Sequence, residues 1–350
     1  MVLILTSISH FFVDGVCASI VFGAAEDAEL LVTIALIYNT LAFSTQCVIG
    51  AWLDKKGYAM SLGRISLTVL ALCGLVPLNA GSSLSAGLII RVCAIGLGNS
   101  LFHVACGSMN IVKCRNCAKE LGIFVAPGAF GVTLGMLFPS VRTVFAAGLL
   151  LVGALLGHVG NDDFDYNAVP AVIYAEETKV KSSESMFLAP VPVLEICLLT
   201  AAVAVRAIGG SAVSFPWKQG AAGALLMTFF VFAGKFLGGF VLEKAGTEKT
   251  SLLSVVPAAV LITLCSDMAL PSLLGQFLLN LTMPVTLFML VKALPDSPGL
   301  AFGLAASALW PGTLAGSMFT LTGPWLRICV LFSFVFGLWA IFFCERRLDK

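Results

Sequence analysis

The chain has 350 residues, of which 59% are hydrophobic and 11% are charged, and its mean hydropathy is +1.01. Water-soluble domains carry about 25% charged residues. The composition therefore excludes a water-soluble enzyme, a secreted disulfide-rich protein and a disordered chain, and it predicts a membrane protein. The net charge of +1 gives no indication of a nucleic-acid partner.

Apolar stretches long enough to cross a membrane, about 20 residues each, are predicted at twelve places. The predicted spans are 2–23, 30–53, 61–79, 84–109, 121–140, 142–159, 190–213, 220–242, 250–267, 269–293, 300–322 and 325–344. The first stretch has no basic leading region and contains His10 and Asp14. We therefore interpret it as a retained span and not as a cleaved signal peptide.

An even number of spans places both termini on the same side of the membrane. With the termini in the cytoplasm, fourteen Lys and Arg residues fall in inner segments and three in outer segments. This bias is typical of the inner, cytoplasmic side. A polar stretch separates spans six and seven. We therefore predict an N-terminal six-helix bundle over 1–160, a cytoplasmic linker over 161–187 and a C-terminal six-helix bundle over 188–350, in the plasma (inner) membrane.

The two halves share an internal match. GAWLDKKG at 50–57 and GFVLEKAG at 239–246 both follow Gly-x-x-Leu-acid-Lys-x-Gly, at the inner end of the second span of each half. A duplicated six-helix unit produces such a match. The acidic residues are expected to accept backbone N–H groups at a helix N-terminus or to pair with a basic side chain, and the final glycines to permit a sharp turn. The candidate gating residues are Gly50, Asp54, Lys55, Gly57, Gly239, Glu243, Lys244 and Gly246.

The motif at 50–57 resembles the Gly-x-x-x-Asp-(Arg/Lys)-x-Gly loop between helices two and three of the major facilitator superfamily. Tyr58 and Ala59 stand where that family usually has basic residues. The resemblance implies an all-α membrane protein with twelve transmembrane helices in two pseudo-symmetric six-helix bundles. It also implies a secondary transporter that works by alternating access.

The first four spans further resemble fosmidomycin-resistance-type exporters. Ser9-His10-Phe11-Phe12-Val13-Asp14 is similar to their Ser-His-x-x-x-Asp, and Gly96 to His103 is similar to their Gly-x-Gly-x-x-x-Phe-His, with Val104 in place of the Pro that follows. Residues 122–131 partly resemble the Gly-Pro antiporter motif of span five. These resemblances imply proton-coupled efflux by antiport.

Ionisable residues inside spans usually face a cavity, because a charge in lipid costs roughly 2.5–3.5 kcal/mol. His10 and Asp14 lie four residues apart and share a helix face. Arg91 is expected at a comparable depth in span four, and cavity-lining helices one and four would let it contact Asp14. We therefore predict Asp14, Arg91 and His10 as the proton-coupling residues.

Further polar residues are candidates for the substrate cavity: Asn99, His103, Glu195, Arg206, Lys235 and Asn280. We expect Glu195 to pair with Lys235, which leaves Arg206 unpaired and favours an anionic substrate. For charges near span ends, an equally ordinary interpretation is that the side chain reaches the membrane surface. For His103 the alternative is a packed, hydrogen-bonded histidine.

The sequence shows no nucleophile–base pair, phosphate loop or metal-ligand cluster, and the close pair Cys114 and Cys117 has no further ligands nearby. We therefore expect no enzyme activity, no cofactor and no metal. The expected partners are a small-molecule substrate, protons and membrane lipids, and the expected state is a monomer. Two alternatives stay open: a symporter that imports a small organic anion, with Arg206 and Arg91 as ligands, and a non-transporting membrane sensor.

Overall fold

The computed structural model describes residues 1–113, 118–159, 191–318 and 323–348. The predicted linker at 161–187 and the Cys114/Cys117 pair lie outside these ranges.

Among the described residues, α-helices account for nearly the whole chain. The first half contains α1 (Val2–Ala24), α2 (Ala28–Asn39), α3 (Gln46–Lys56), α4 (Ala59–Leu75), α5 (Ala86–Lys113), α6 (Ala118–Val125), α7 (Gly128–Leu137) and α8 (Arg142–Gly157). The second half contains α9 (Val193–Ala212), α10 (Gly220–Ala245), α11 (Thr247–Leu264), α12 (Ala269–Ala293), α13 (Pro298–Met318) and α14 (Gly323–Leu348).

These helices form the twelve predicted membrane-crossing segments. A π-helical turn, Thr40–Ser44, joins α2 and α3 into the second segment. The fifth segment consists of α6 and α7, which meet at Pro127, a residue without the N–H that a continuous helix needs. Ten described segments are long and apolar enough to span a membrane. The other two are α4, with 17 residues, and α13, with 21.

The two halves have the same helix arrangement. In the first half α1 packs on α7 and α8, and α4 packs on α5 and α8. In the second half α9 packs on α13 and α14, and α11 packs on α12 and α14. The structure is therefore two pseudo-symmetric six-helix bundles, as the sequence predicts.

The bundles meet along two pairs of segments, α3 with α13 and the α6–α7 segment with α10. Because successive segments alternate in direction, Asp54, Ala118, Glu243 and Pro298 all lie at one membrane face, together with Met1. We call this the motif face.

The apolar core is distributed unequally between the bundles. A large cluster fills the N-terminal bundle around Val16, Leu70 and Phe102. The C-terminal bundle has two smaller clusters, one around Leu199 and Ile341 and the other around Ile262. Between the bundles the chain leaves a cavity.

Candidate functional site

The cavity between the bundles has a volume of about 420 Å³. It extends along α1 from His10 to Phe22, and therefore away from the motif face. At the motif-face end it is closed by Phe302, whose ring lies 5.9 Å from that of Phe124. Most of the lining side chains are apolar, and the polar ones gather on two opposite walls.

The wall formed by the N-terminal bundle carries a cluster around Asp14. His10, one helical turn earlier, places Nε2 3.3 Å from Oδ2 of Asp14. His103 of α5 places Nε2 3.8 Å from Oδ1, and the amide of Asn99 donates to the same oxygen at 3.1 Å. All four residues line the cavity. Asp14 is therefore held by α1 and α5 together.

The two imidazoles contact backbone carbonyl oxygens and each other. Nδ1 of His10 lies 2.8 Å from the carbonyl oxygen of Phe124, and Nδ1 of His103 lies 2.9 Å from that of Asn99. A carbonyl oxygen only accepts, so both Nδ1 atoms are protonated. The two Nε2 atoms lie 2.8 Å apart, a hydrogen-bond distance, so the two rings contact each other as well as Asp14.

The local breaks in the helices explain how this cluster is assembled. The fifth segment is interrupted at Pro127, three residues after Phe124, and the Phe124 carbonyl contacts His10. Gly128 then lets α7 approach α1 closely, because a Cβ there would overlap both His10 and Asp14. On the other side, the π-helical turn that follows Asn39 brings Tyr38 and Asn39 to the cavity.

Among the described residues, the group able to hold a metal ion is His10, Asp14 and His103, whose ligand atoms all lie within 4.8 Å of one another. Two histidine nitrogens on one tetrahedral zinc ion lie about 3.3 Å apart, since each Zn–N bond is about 2.0–2.1 Å. The observed 2.8 Å is a hydrogen-bond distance. A tetrahedral metal ion would therefore require the two imidazoles to move apart by about 0.5 Å.

The opposite wall, from the C-terminal bundle, carries two cations. Arg206 of α9 donates to the hydroxyl of Thr282 at 3.1 Å. Lys235 of α10 lines the same cavity and forms no ion pair with any described residue. The two cations are near enough to repel each other, and Asp14 is near enough to attract Lys235.

Two predicted ion pairs are wrong. Arg91 lies eight residues before Asn99 on α5, about 12 Å along the helix axis. Its guanidinium donates to the carbonyl of Pro77 at 3.0 Å, near the outer end of the bundle, and the partners of Asp14 are the histidines. Glu195 is 4% exposed and pairs with Arg347 of α14, so the expected pair with Lys235 is absent.

Two predicted cavity residues do not line the cavity. Glu195 lies in the first turn of α9, at the motif face. Asn280 donates to the carbonyl of Gln276 at 2.8 Å, one turn back in α12, and its Cβ lies where α12 packs against Gly234 of α10. Asn99, His103, Arg206 and Lys235 do line it, together with Gln46 and Asn39.

The two copies of the repeated motif make equivalent contacts at the motif face. Asp54 accepts from the backbone N–H groups of Gly299 and Leu300 at 2.7 and 2.8 Å, at the start of α13. Glu243 accepts from the N–H of Lys119 at 3.1 Å, at the start of α6. The expected contact between each acidic residue and a helix N-terminus is present in both copies. Each contact joins one bundle to the other.

The other motif residues allow these contacts. A Cβ at Gly50 would overlap the carbonyl of Gly299, and one at Gly239 would overlap that of Ala118. Gly57 has φ 73° and Gly246 has φ 79°, so both make the expected turn. Lys55 and Lys244 lie in the last turns of α3 and α10, where a positive charge interacts favourably with the helix dipole.

No protein-family model matches the chain, and no curated protein sequence matches it. Its structure is similar to crystal structures of the transporter FucP, described as a major facilitator superfamily transporter in the outward conformation. The TM-score is 0.64 at 12% identity, over 97% of both chains. A second structure, of the E. coli fucose:proton symporter FucP, has a TM-score of 0.62 at 11% identity, again over 97% of both chains. The chain therefore has the fold of the major facilitator superfamily.

Proposed function

We propose that this chain is a secondary transporter of the major facilitator superfamily, which moves a small molecule across a membrane by alternating access. The observation that supports this most strongly is the cavity between the two bundles. It is closed at the motif face by two equivalent contacts and extends toward the opposite face. Rocking of two bundles about such a site exposes it to each side of the membrane in turn.

We infer that protons are the coupling ion, with Asp14 and His10 as the proton-coupling residues and His103 as their partner. The cluster places two imidazoles in hydrogen-bond contact beside a carboxylate, and it lines the cavity. Cys17 and Tyr38 are the other titratable groups beside it, and Lys235 faces it across the cavity. The name of the structurally similar fucose:proton symporter supports proton coupling by analogy.

We assign the eight motif residues to a gate. Asp54 and Glu243 each bind a helix N-terminus of the other bundle, so both contacts must break when the motif face opens. On the positive-inside bias we assign this face to the cytoplasm, with both termini on that side, and we propose the plasma (inner) membrane as the location. In that orientation the cavity opens outward.

For the direction of transport we favour proton-coupled efflux by antiport, on the resemblance of spans one to four to fosmidomycin-resistance-type exporters. The second candidate is a proton symporter that imports a small organic anion. The two cations on the C-terminal wall favour it, because they suit an anion.

The test uses purified protein in liposomes loaded with a small-molecule extract of cells, with an imposed pH gradient. We expect at least one compound to leave or accumulate faster than in protein-free liposomes, at a rate that depends on the gradient. Asp14→Asn should abolish that dependence. The sign of the effective gradient separates antiport from symport. If mass spectrometry shows no compound redistributed by the wild-type protein, the proposed function is wrong.

A further inference from the structure

The charges of the cavity do not balance. Among the described residues that line it, Asp14 is the acidic one, and its contacts are with His10, His103 and Asn99 of its own wall. Arg206 and Lys235 contribute two positive charges, so the cavity has at least one positive charge in excess. Unpaired charges away from bulk water are costly. The excess positive charge of the cavity therefore favours binding of an anion.

The two cations also have free hydrogen-bond donors. Arg206 uses one guanidinium nitrogen for the hydroxyl of Thr282, and a guanidinium has five N–H donors in all. The ammonium of Lys235 has three donors, and no hydrogen bond joins it to a described side chain. A carboxylate, phosphate or sulfonate that bridges the two side chains would satisfy both groups and relieve their mutual repulsion.

The remaining surface of the cavity is apolar. Phe22 and Phe43 line it from the N-terminal bundle, and Val203, Met283 and Leu309 line it from the C-terminal bundle. A volume of about 420 Å³ lies within the range of about 300–1,000 Å³ for small-molecule sites. A ligand that fills it must therefore bury a mostly apolar body.

From these observations we propose that the substrate is an amphipathic organic anion, with its acidic group between Arg206 and Lys235 and its apolar body against the surrounding aliphatic and aromatic side chains. This inference rests on the proposed transport function and names the class of molecule that the same site takes. It does not depend on whether transport is symport or antiport.

The binding test compares ligands that differ in charge and not in size. Purified protein in lipid nanodiscs is unfolded thermally with phenylacetate, phenylacetamide or phenethylamine, and separately with phenyl phosphate and benzenesulfonate. We expect one or more of the three anions to raise the Tm with a saturable dose dependence, while the amide and the amine do not. If no anion raises the Tm, or if the amide stabilises as well as the acid, the proposal is wrong.

Variants then locate the acidic group. Arg206→Gln and Lys235→Gln should each weaken binding of the active anion by about tenfold or more. Neither should prevent folding, because each removes an unpaired cavity charge, and the unliganded Tm should stay level or rise. The matched control is Arg327→Gln, which removes an exposed arginine of α14 and should leave the affinity unchanged. Unchanged affinity in both cavity variants would place the anion elsewhere and overturn the assignment.

The failure of this inference is distinguishable from failure of the proposed function. If the liposome assay shows proton-dependent transport of a neutral or cationic compound, the function stands and the substrate class is wrong. If no compound is transported at all, the function itself is wrong, whatever the binding data show.

Discussion

The two bundles share one helix arrangement but present different chemistry to the cavity. In the N-terminal bundle, Asp14, His10 and His103 contact one another. In the C-terminal bundle, Arg206 and Lys235 form no ion pair with any residue that the structure describes. We infer that the first bundle holds the proton site and the second holds the charged part of the substrate site.

The repeat shows where the halves have kept the same role and where they have diverged. Gln46 precedes Gly50 by four residues and Lys235 precedes Gly239 by four, so they occupy the same position in the two copies, and both line the cavity. One is neutral and the other is a cation. The motif residues, by contrast, make the same kind of contact in both copies. Packing and gating positions are therefore similar, whereas cavity positions differ.

Among these variants, Asp14→Asn should have the largest effect on transport, because it alters the cavity wall of the N-terminal bundle and leaves that of the C-terminal bundle unchanged. The amide can neither bind nor release a proton beside the two histidines, so proton-driven transport should fall to the level of protein-free liposomes. The measurement is compound redistribution under a pH gradient. Circular dichroism and Tm should show a folded protein.

The matched control is Asp27→Asn, at an exposed position where the side chain accepts from the N–H of Leu30 at 2.8 Å. Asparagine also caps helices well, so transport should be unchanged there. Full proton-driven activity in Asp14→Asn would remove Asp14 from the coupling mechanism.

Gly50→Ala and Gly239→Ala should have the next largest effect, and a similar one, if the bundles are equivalent at the gate. In each variant the new Cβ overlaps a carbonyl oxygen of the other bundle. Overpacking costs about 1–3 kcal/mol, which shifts the equilibrium away from the closed motif face by about five- to more than one-hundredfold. Hydrogen exchange at the amides of Leu300 and Lys119 measures this opening.

Gly81→Ala provides the control, since no atom lies near the position that its Cβ would take. Exchange at the gate should be unaffected in that variant. If Gly50→Ala opens the gate and Gly239→Ala does not, the pseudo-symmetry of the two contacts does not extend to their energetics.

Much of the fold was predictable from the sequence because hydropathy reports spans directly. The repeat predicted both gate contacts, since an acidic residue at a helix end has few alternatives to a neighbouring N-terminus or a cation. The same-face relation of His10 and Asp14 followed from their spacing of four residues. These features follow from hydropathy, from the internal match and from helix periodicity, all of which the sequence contains directly.

The partners of the buried charges were not predictable in the same way. The long side chain of Arg91 reaches the carbonyl of Pro77, toward the outer end of the bundle. Asp14 instead lies at the depth of Asn99 and His103, which contact it. Glu195 meets Arg347 because α14 continues to Leu348, beyond the predicted end of the span at 344. Helix tilt and helix ends decide such pairs, and neither follows from periodicity. The sequence feature that came nearest to predicting the partners of Asp14 was His103, in the exporter-like stretch of span four.

Neutralising the acidic residue of each gate contact should open the motif face less than the glycine variants do. The effect should also differ between the two copies. Asp54→Asn keeps an amide oxygen for one of the two backbone N–H groups but loses the charge and the second acceptor, so we expect a cost of about 1–2 kcal/mol. Glu243→Gln keeps an acceptor for the N–H of Lys119 but loses the charge and the ion pair with the Lys119 ammonium at 3.7 Å, and the Glu243 side chain is 30% exposed, so we expect less than about 1 kcal/mol. Hydrogen exchange at Gly299 and Leu300 should therefore accelerate more than at Lys119. Equal acceleration would show that exposure does not weaken the Glu243 contact.

Arg91→Gln should have the smallest effect on transport, although Arg91 is a cation within a span of the N-terminal bundle. Its hydrogen bond reaches Pro77 at the outer end of the bundle, and it does not line the cavity. Its charge therefore cannot replace the role that Arg206 and Lys235 play on the opposite wall. We expect the rate of proton-driven transport to stay within about twofold of wild type, which corresponds to about 0.4 kcal/mol. A loss comparable to that of Asp14→Asn would instead mean that Arg91 moves to the Asp14 cluster during the transport cycle, and that the N-terminal bundle contributes a cation to the site in another conformation.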